Sequence, residues 1–223
     1  MQRKNGSALF LALLLGVMAA PSFADRGYEG YIDTVGASPW FDGSKSTIDY
    51  QNVTVDSRRT VAWCGIDNGS IGGWAWIQGG WGKWKDGAAQ IYWEYTDKNG
   101  GYGRGYDQAP GASETYEQSH TGSNVEWKHG VTVYKTMDWS NFDTVSFRRV
   151  YYGAEMHVPP GDHTPGKAAS KNNFASSQAR RAGAGFAVTG LNTQAQPTAD
   201  QGNVEKYGGD DSGNFRTWDS RND

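Results

Sequence analysis

The chain has 223 residues, a formal net charge of −3 at pH 7, 31 glycines, 37% hydrophobic residues and 13% aromatic ones. That length suits one sizeable β domain with accessories, and the slightly acidic balance gives no electrostatic footprint for nucleic acid. Helices tolerate so much glycine poorly, and no amphipathic helix is legible after residue 25.

Residues 1–24 read as a secretory signal. Arg3 and Lys4 form the charged region, Ala8 to Ala20 the apolar one, and Ser22-Phe23-Ala24 is a small-x-small cleavage site before Asp25. The apolar run is too short for an ordinary membrane span. The mature protein is therefore expected to be secreted, extracellular or periplasmic, with no membrane association after cleavage, and monomeric. Asp25 to Gly43 reads as irregular, and Thr47 to Val55 as a strand by β-branching and alternation.

The stretch Trp63 to Glu94 holds six of the ten tryptophans. It reads as three strands separated by Gly-rich turns, because alternate residues differ in character. Trp63, Gly65 and Asp67 oppose Ala62, Cys64 and Ile66. Trp74, Trp76 and Gln78 oppose Ala75 and Ile77. Gln90, Tyr92 and Glu94 oppose Ala89, Ile91, Trp93 and Tyr95. Successive side chains of a strand point to opposite faces. The pattern implies a packed inner face and a wet, aromatic-lined outer face with the makings of a binding cleft. Cys64 is the single cysteine, so no internal disulfide is possible. On the inner parity it reads as inert core.

Asn99 to Gly111 reads as a Gly-rich loop. Ser113 to His120, Val131 to Met137 and Thr144 to Tyr152 read as strands, and Glu155 follows near the end of the last. From Lys167 the composition turns to Ala, Ser, Asn, Gln and Gly, with Gly183 to Leu191 as a closing strand. The division expected is a β-sandwich over residues 25–190 and a flexible polar tail over 191–223. Eight to ten short strands with turns between them argue an all-β, two-sheet sandwich.

The histidines, His120, His129, His157 and His163, make no metal-ligand spacing. Neither GxSxG nor HExxH is present. No metal or cofactor is expected.

Four short pieces resemble the glutamic peptidases, the eqolisin and neprosin group. Trp63-Cys64-Gly65-Ile66-Asp67 is similar to the eqolisin W-V-G-I-D strand, and Ile77-Gln78-Gly79 to the I/L-Q-x-G strand bearing the catalytic glutamine. Tyr92-Trp93-Glu94-Tyr95 is similar to W-Y-E-W, and Gly153-Ala154-Glu155 to the segment bearing the catalytic glutamate. The order of the pieces agrees with the family, and the resemblance spans roughly residues 45 to 175. Gln90 stands where eqolisins have Asp, Thr96 replaces an aromatic, and the eqolisin disulfides are missing.

The resemblance implies a concanavalin A-like antiparallel sandwich with its site on the concave sheet. It assigns Glu155 as general base and Gln78 as oxyanion stabiliser of an acid-active endopeptidase acting on polypeptides. Strand parity puts Trp63, Asp67, Trp74, Trp76, Tyr92 and Glu94 on the cleft-facing side, where they would meet the substrate. From the residues alone, Gln78 reads first as an ordinary polar residue on a solvated sheet face; only the resemblance brings the catalytic reading level with it. A polysaccharide-binding or adhesive sandwich stays open, since tryptophans on a sheet also stack on sugars.

Overall fold

The computed structural model describes residues 27–69, 75–157, 162–195, 202–209 and 212–222. In chain order its strands are β1 (Gly27–Thr34), β2 (Phe41–Asp49), β3 (Arg59–Asp67), β4 (Trp76–Trp84), β5 (Ala89–Thr96), β6 (Tyr102–Tyr106), β7 (Ser113–Thr121) and β8 (Asn124–His129). They continue as β9 (Thr132–Asp138), β10 (Arg149–Met156), β11 (Gly166–Lys167), β12 (Ser170–Arg181), β13 (Phe186–Val188), β14 (Thr193–Ala195), β15 (Gly202–Lys206) and β16 (Phe215–Asp219).

The strands form two antiparallel sheets packed as a sandwich. One runs β14-β1-β10-β3-β4-β5-β6 and the other β15-β16-β12-β2-β7-β8-β9, with β11 and β13 paired to β12. The alternation in the tryptophan-rich stretch decides which face each residue takes. Ala62, Cys64, Ile66, Ile77, Trp81 and Ile91 point into the core between the sheets, where Ile48, Tyr116, Trp127, Phe174 and Phe215 meet them from the second sheet. Two indoles lock the sheets together: Trp81 Nε1 donates to Asp49 O at 2.9 Å, and Trp127 Nε1 to Gln78 O at 3.0 Å. Gly79 allows the second sheet to come this close, since a Cβ there would stand 2.7 Å from Gln118 Nε2 and 3.1 Å from the Trp127 ring.

Several expectations need correction. Residues 25–43 are not irregular throughout: Gly27–Thr34 is a strand paired along its length with β10, and β2 begins at Phe41. The Gly-rich segment after Asn99 holds β6, in which Tyr102, Arg104 and Tyr106 alternate with glycines. The expected strand over Thr144–Tyr152 is displaced to Arg149–Met156. Most plainly, the chain beyond residue 190 is not a flexible polar tail where it is described. β14 extends the first sheet, while β15 and β16 extend the second. Phe215, Thr217 and Asp219 are fully buried, alternating with half-buried Arg216 and Trp218. Composition missed this because the buried face there is largely polar, with Thr217 beside an Asp219 carboxylate that Arg221 holds. Residues 1–24 and Trp74 lie outside the described residues.

Candidate active site

The outer face of the seven-stranded sheet carries a second, smaller aromatic cluster of Val61, Trp63, Tyr92 and Tyr151, with Ile32 and Trp84 against it. Trp63 and Tyr151 meet edge to face at 4.5 Å. This face is less wet than alternation implies: Trp63, Gln78, Tyr92, Glu94 and Glu155 are all buried. The reason is curvature. Arg59 is in register with Trp84 of β4, whereas Glu94 is in register with Gln78, six positions away on the same strand. A flat sheet would hold those levels about 20 Å apart. Yet Arg59 Nη1 donates to Glu94 Oε1 at 2.7 Å. The sheet therefore curls toward this face and makes it concave.

Register places the two principal candidates around Trp63. Trp63 pairs with Gly153 on one side and Gly80 on the other. Glu155 stands two residues along β10 in one direction, and Gln78 two residues along β4 in the opposite direction. Side chains connect them. Gln78 Nε2 donates to Glu94 Oε2 at 2.9 Å and approaches the Tyr92 hydroxyl at 3.4 Å. Arg59 joins Glu94 to Glu155, whose Oε1 lies 3.7 Å from its Nη2. His157 Nε2 lies 2.9 Å from the same Glu155 oxygen.

Burial works against the Arg59 charge. The Coulombic pull of Glu94 and then Glu155 outweighs it, and the guanidinium is held protonated above its ordinary range. Arg59 is held from behind as well, because the Asp162 carboxylate accepts from the backbone N–H groups of Ser57, Arg58 and Arg59 at 2.8 to 3.2 Å. On the far side of Glu94, Tyr102 donates its hydroxyl to Oε1 at 2.9 Å, and Arg104 Nη1 comes to 3.5 Å. Burial, and then the Glu94 charge, pushes the Tyr102 phenol up to about 12. Trp76 stands at the rim, 6.2 Å from the Tyr102 ring.

The structure thus brings together Gln78, Glu94, Glu155, Trp63 and Tyr92, with Trp76 beside them. Asp67 is engaged elsewhere: Arg149 holds both its oxygens, Nε on Oδ1 at 2.6 Å and Nη2 on Oδ2 at 2.7 Å. Sequence reasoning missed Arg59, His157, Tyr102 and Arg104. Two carried a usable signal. Arg59 has the parity of Trp63 on β3, and His157 that of Glu155 beyond β10. No trio of His, Cys, Asp or Glu side chains converges as a metal site among the described residues.

The two packed antiparallel sheets, one curled toward its outer face, define a concanavalin-like β-sandwich. In structure the chain is similar to scytalido-glutamic peptidase, solved with a peptide-based transition-state analogue, at a TM-score of 0.61 and 12% identity, covering 87% of this chain and 98% of that one. A second structure of that peptidase with a transition-state analogue inhibitor gives 0.62 and 13%, with the same coverage. The Crh5 transglycosylase, at a TM-score of 0.39, 12% identity and 56% of each chain, carries no weight. No protein-family model matches the chain, and no curated protein matches it in sequence.

Proposed function

We propose that the chain is a hydrolase of glutamic peptidase type, an acid-active endopeptidase secreted as a monomer and needing no cofactor. The observation that carries this reading is the chain of two hydrogen bonds and one ion pair, Gln78–Glu94–Arg59–Glu155, around Trp63 on the concave face. It holds a carboxylate and an amide donor on one buried surface, with a countercharge already in place.

In the reaction proposed, Glu155 takes a proton from a water that attacks the scissile carbonyl. Negative charge builds on the carbonyl oxygen, and Gln78 Nε2 donates to it. Nε2 carries two hydrogens. One is committed to Glu94 at 2.9 Å, and the other faces only the long 3.4 Å approach to Tyr92, so it is the one available to the oxyanion. Glu155, now protonated, passes its proton to the leaving amine as the C–N bond breaks. Glu94 fixes which edge of the amide faces the substrate, and Arg59 balances the two carboxylates.

One observation favours a second reading, a carbohydrate-binding sandwich: Tyr102 and Tyr106 are 58% and 42% exposed beside Trp76 and Trp84. Incubating the purified protein with denatured protein and with polysaccharides between pH 2 and 6 separates the two. Peptide products unaffected by chelators and serine reagents support the peptidase. Polysaccharide binding without cleavage replaces it.

A further inference from the structure

A buried carboxyl makes a poor base in acid unless its surroundings keep it ionised. Glu155 is buried, and burial favours the neutral form. Its guanidinium partner is shared: Arg59 lies 3.7 Å from Glu155 but 2.7 Å from Glu94. His157 is the second group at Glu155. Its Nε2 lies 2.9 Å from Glu155 Oε1, and both side chains are buried. Two positions apart on one extended strand, they take the same face. His157 N donates to Arg59 O at 3.1 Å. That bond carries the β10–β3 ladder one pair beyond Met156 and Thr60, and it sets His157 opposite Arg59.

The neighbouring elements set the charge around this pair. On β5, Glu94 is the second buried carboxylate, and burial pushes the Tyr92 phenol well above its ordinary range, so it is neutral. β4 contributes the uncharged Gln78. On β6, Tyr102 and Arg104 both meet Glu94, Arg104 at 3.5 Å and with a third of its side chain in solvent. On β1 the register partner of Glu155 is Tyr28. Behind Arg59, the Asp162 carboxylate accepts from the backbone N–H groups of Ser57, Arg58 and Arg59. With Glu155 ionised and His157 neutral, the buried side chains of this face set two carboxylates against one guanidinium. One further proton balances them. By ordinary values an imidazole is a stronger base than a carboxylate by about two pH units. Arg59 beside Glu155 adds to that preference by favouring the carboxylate.

We propose that Glu155 and His157 together keep one proton throughout the acid range and that it rests on His157, whose imidazolium holds Glu155 as the carboxylate. His157 is then a positioning residue, acting on the reaction through Glu155. The proton taken from water goes to Glu155 and on to the leaving amine, while the His157 proton stays in place. The imidazolium also makes the protonated Glu155 a stronger acid toward that amine. This part in turnover rests on the peptidase reading; the charge state of the pair does not.

NMR of the folded protein reads both groups without turnover, from the ¹⁵N shifts of the His157 ring and the ¹³C shift of the Glu155 carboxyl, assigned through the backbone. The expected result for the wild type at pH 5 is an imidazolium beside a carboxylate. In His157→Gln, which keeps a polar side chain but cannot carry the charge, the Glu155 carboxyl should take up its proton about one to three pH units higher than in the wild type. The acid limb of kcat/KM should move up by the same amount, which a merely structural loss would not do. A neutral His157 ring in the wild type at pH 5 overturns the proposal, and that measurement stands should His157→Gln not fold. An unchanged Glu155 titration in a folded His157→Gln overturns it too. If the wild type cleaves no peptide while both resonances behave as expected, the peptidase reading falls and the charge pairing is upheld.

Discussion

Gln78 and Glu94 face each other as register partners on β4 and β5, and the amide nitrogen of one donates to the carboxylate of the other at 2.9 Å. That single bond fixes the Gln78 amide, because a carboxylate can only accept. Glu94→Gln leaves the shape nearly unchanged but offers the amide an acceptor and a donor instead of a charge. Under the proposed mechanism, turnover should fall at least tenfold with little change in KM, since orientation toward the transition state is what is lost. Asp67→Asn, at a carboxylate already held by Arg149, should act on stability and leave turnover near the wild-type value. Steady-state kinetics of the two variants checks this.

Arg59 lies between two buried carboxylates, 2.7 Å from Glu94 and 3.7 Å from Glu155. Removing one partner of a buried ion pair strands the other, at about 3–5 kcal/mol. Arg59→Met should therefore destabilise the fold by about that amount in denaturant titration. The double variant Arg59→Met with Glu94→Gln should recover part of the loss, because one stranded charge is gone. A loss in the double variant equal to the sum of the singles would show that the pair is not coupled.

Glu29 and Asp219 give opposite pH signatures. Glu29 is held above its ordinary value of 4.5 by burial, so the folded state keeps a proton that the unfolded chain releases. Its contribution is fully present below 4.5 and is lost as pH rises toward the elevated folded value. For Asp219 burial pulls upward, but the Arg221 hydrogen bonds win and set it below its ordinary 3.8. Its contribution is present above 3.8 and is lost as pH falls through the lowered value. Glu29→Gln should flatten the decline of stability on the alkaline side and leave the acid limb unchanged. Chemical denaturation across pH reads both limbs.

Cys64 is fully buried, and burial pushes its thiol up to about 12. The reactive species is the thiolate. A thiol reagent at pH 8 should label the native protein only at the rate of unfolding, and the denatured protein at once. Fast labelling without denaturant would contradict the packing described between the sheets.

Period-two alternation made the tryptophan-rich strands legible, and with them the sorting of Cys64, Ile66 and Ile77 inward and of Trp63, Gln78 and Glu94 outward. Such a pattern reports which face a side chain takes, but not how far the sheet curls. The concave face therefore reads as wet in sequence and is buried in the structure. The same blindness hid Arg59, which belongs to the cluster only because curvature brings β3's first residue over Glu94. β16 escaped for another reason. Its inward residues beyond Phe215 are Thr217 and Asp219, and a buried polar face has the composition of a solvated one.

The proposed function rests on Glu155 and Gln78 together hydrolysing peptide bonds. The most direct measurement is cleavage of a denatured protein between pH 2 and 6 by the wild type, Glu155→Gln and Gln78→Ala, each first shown to be folded. The wild type should give peptide products, Glu155→Gln none above background, and Gln78→Ala a rate lowered about a hundredfold or more. Cleavage that continues undiminished in Glu155→Gln would contradict the proposed function.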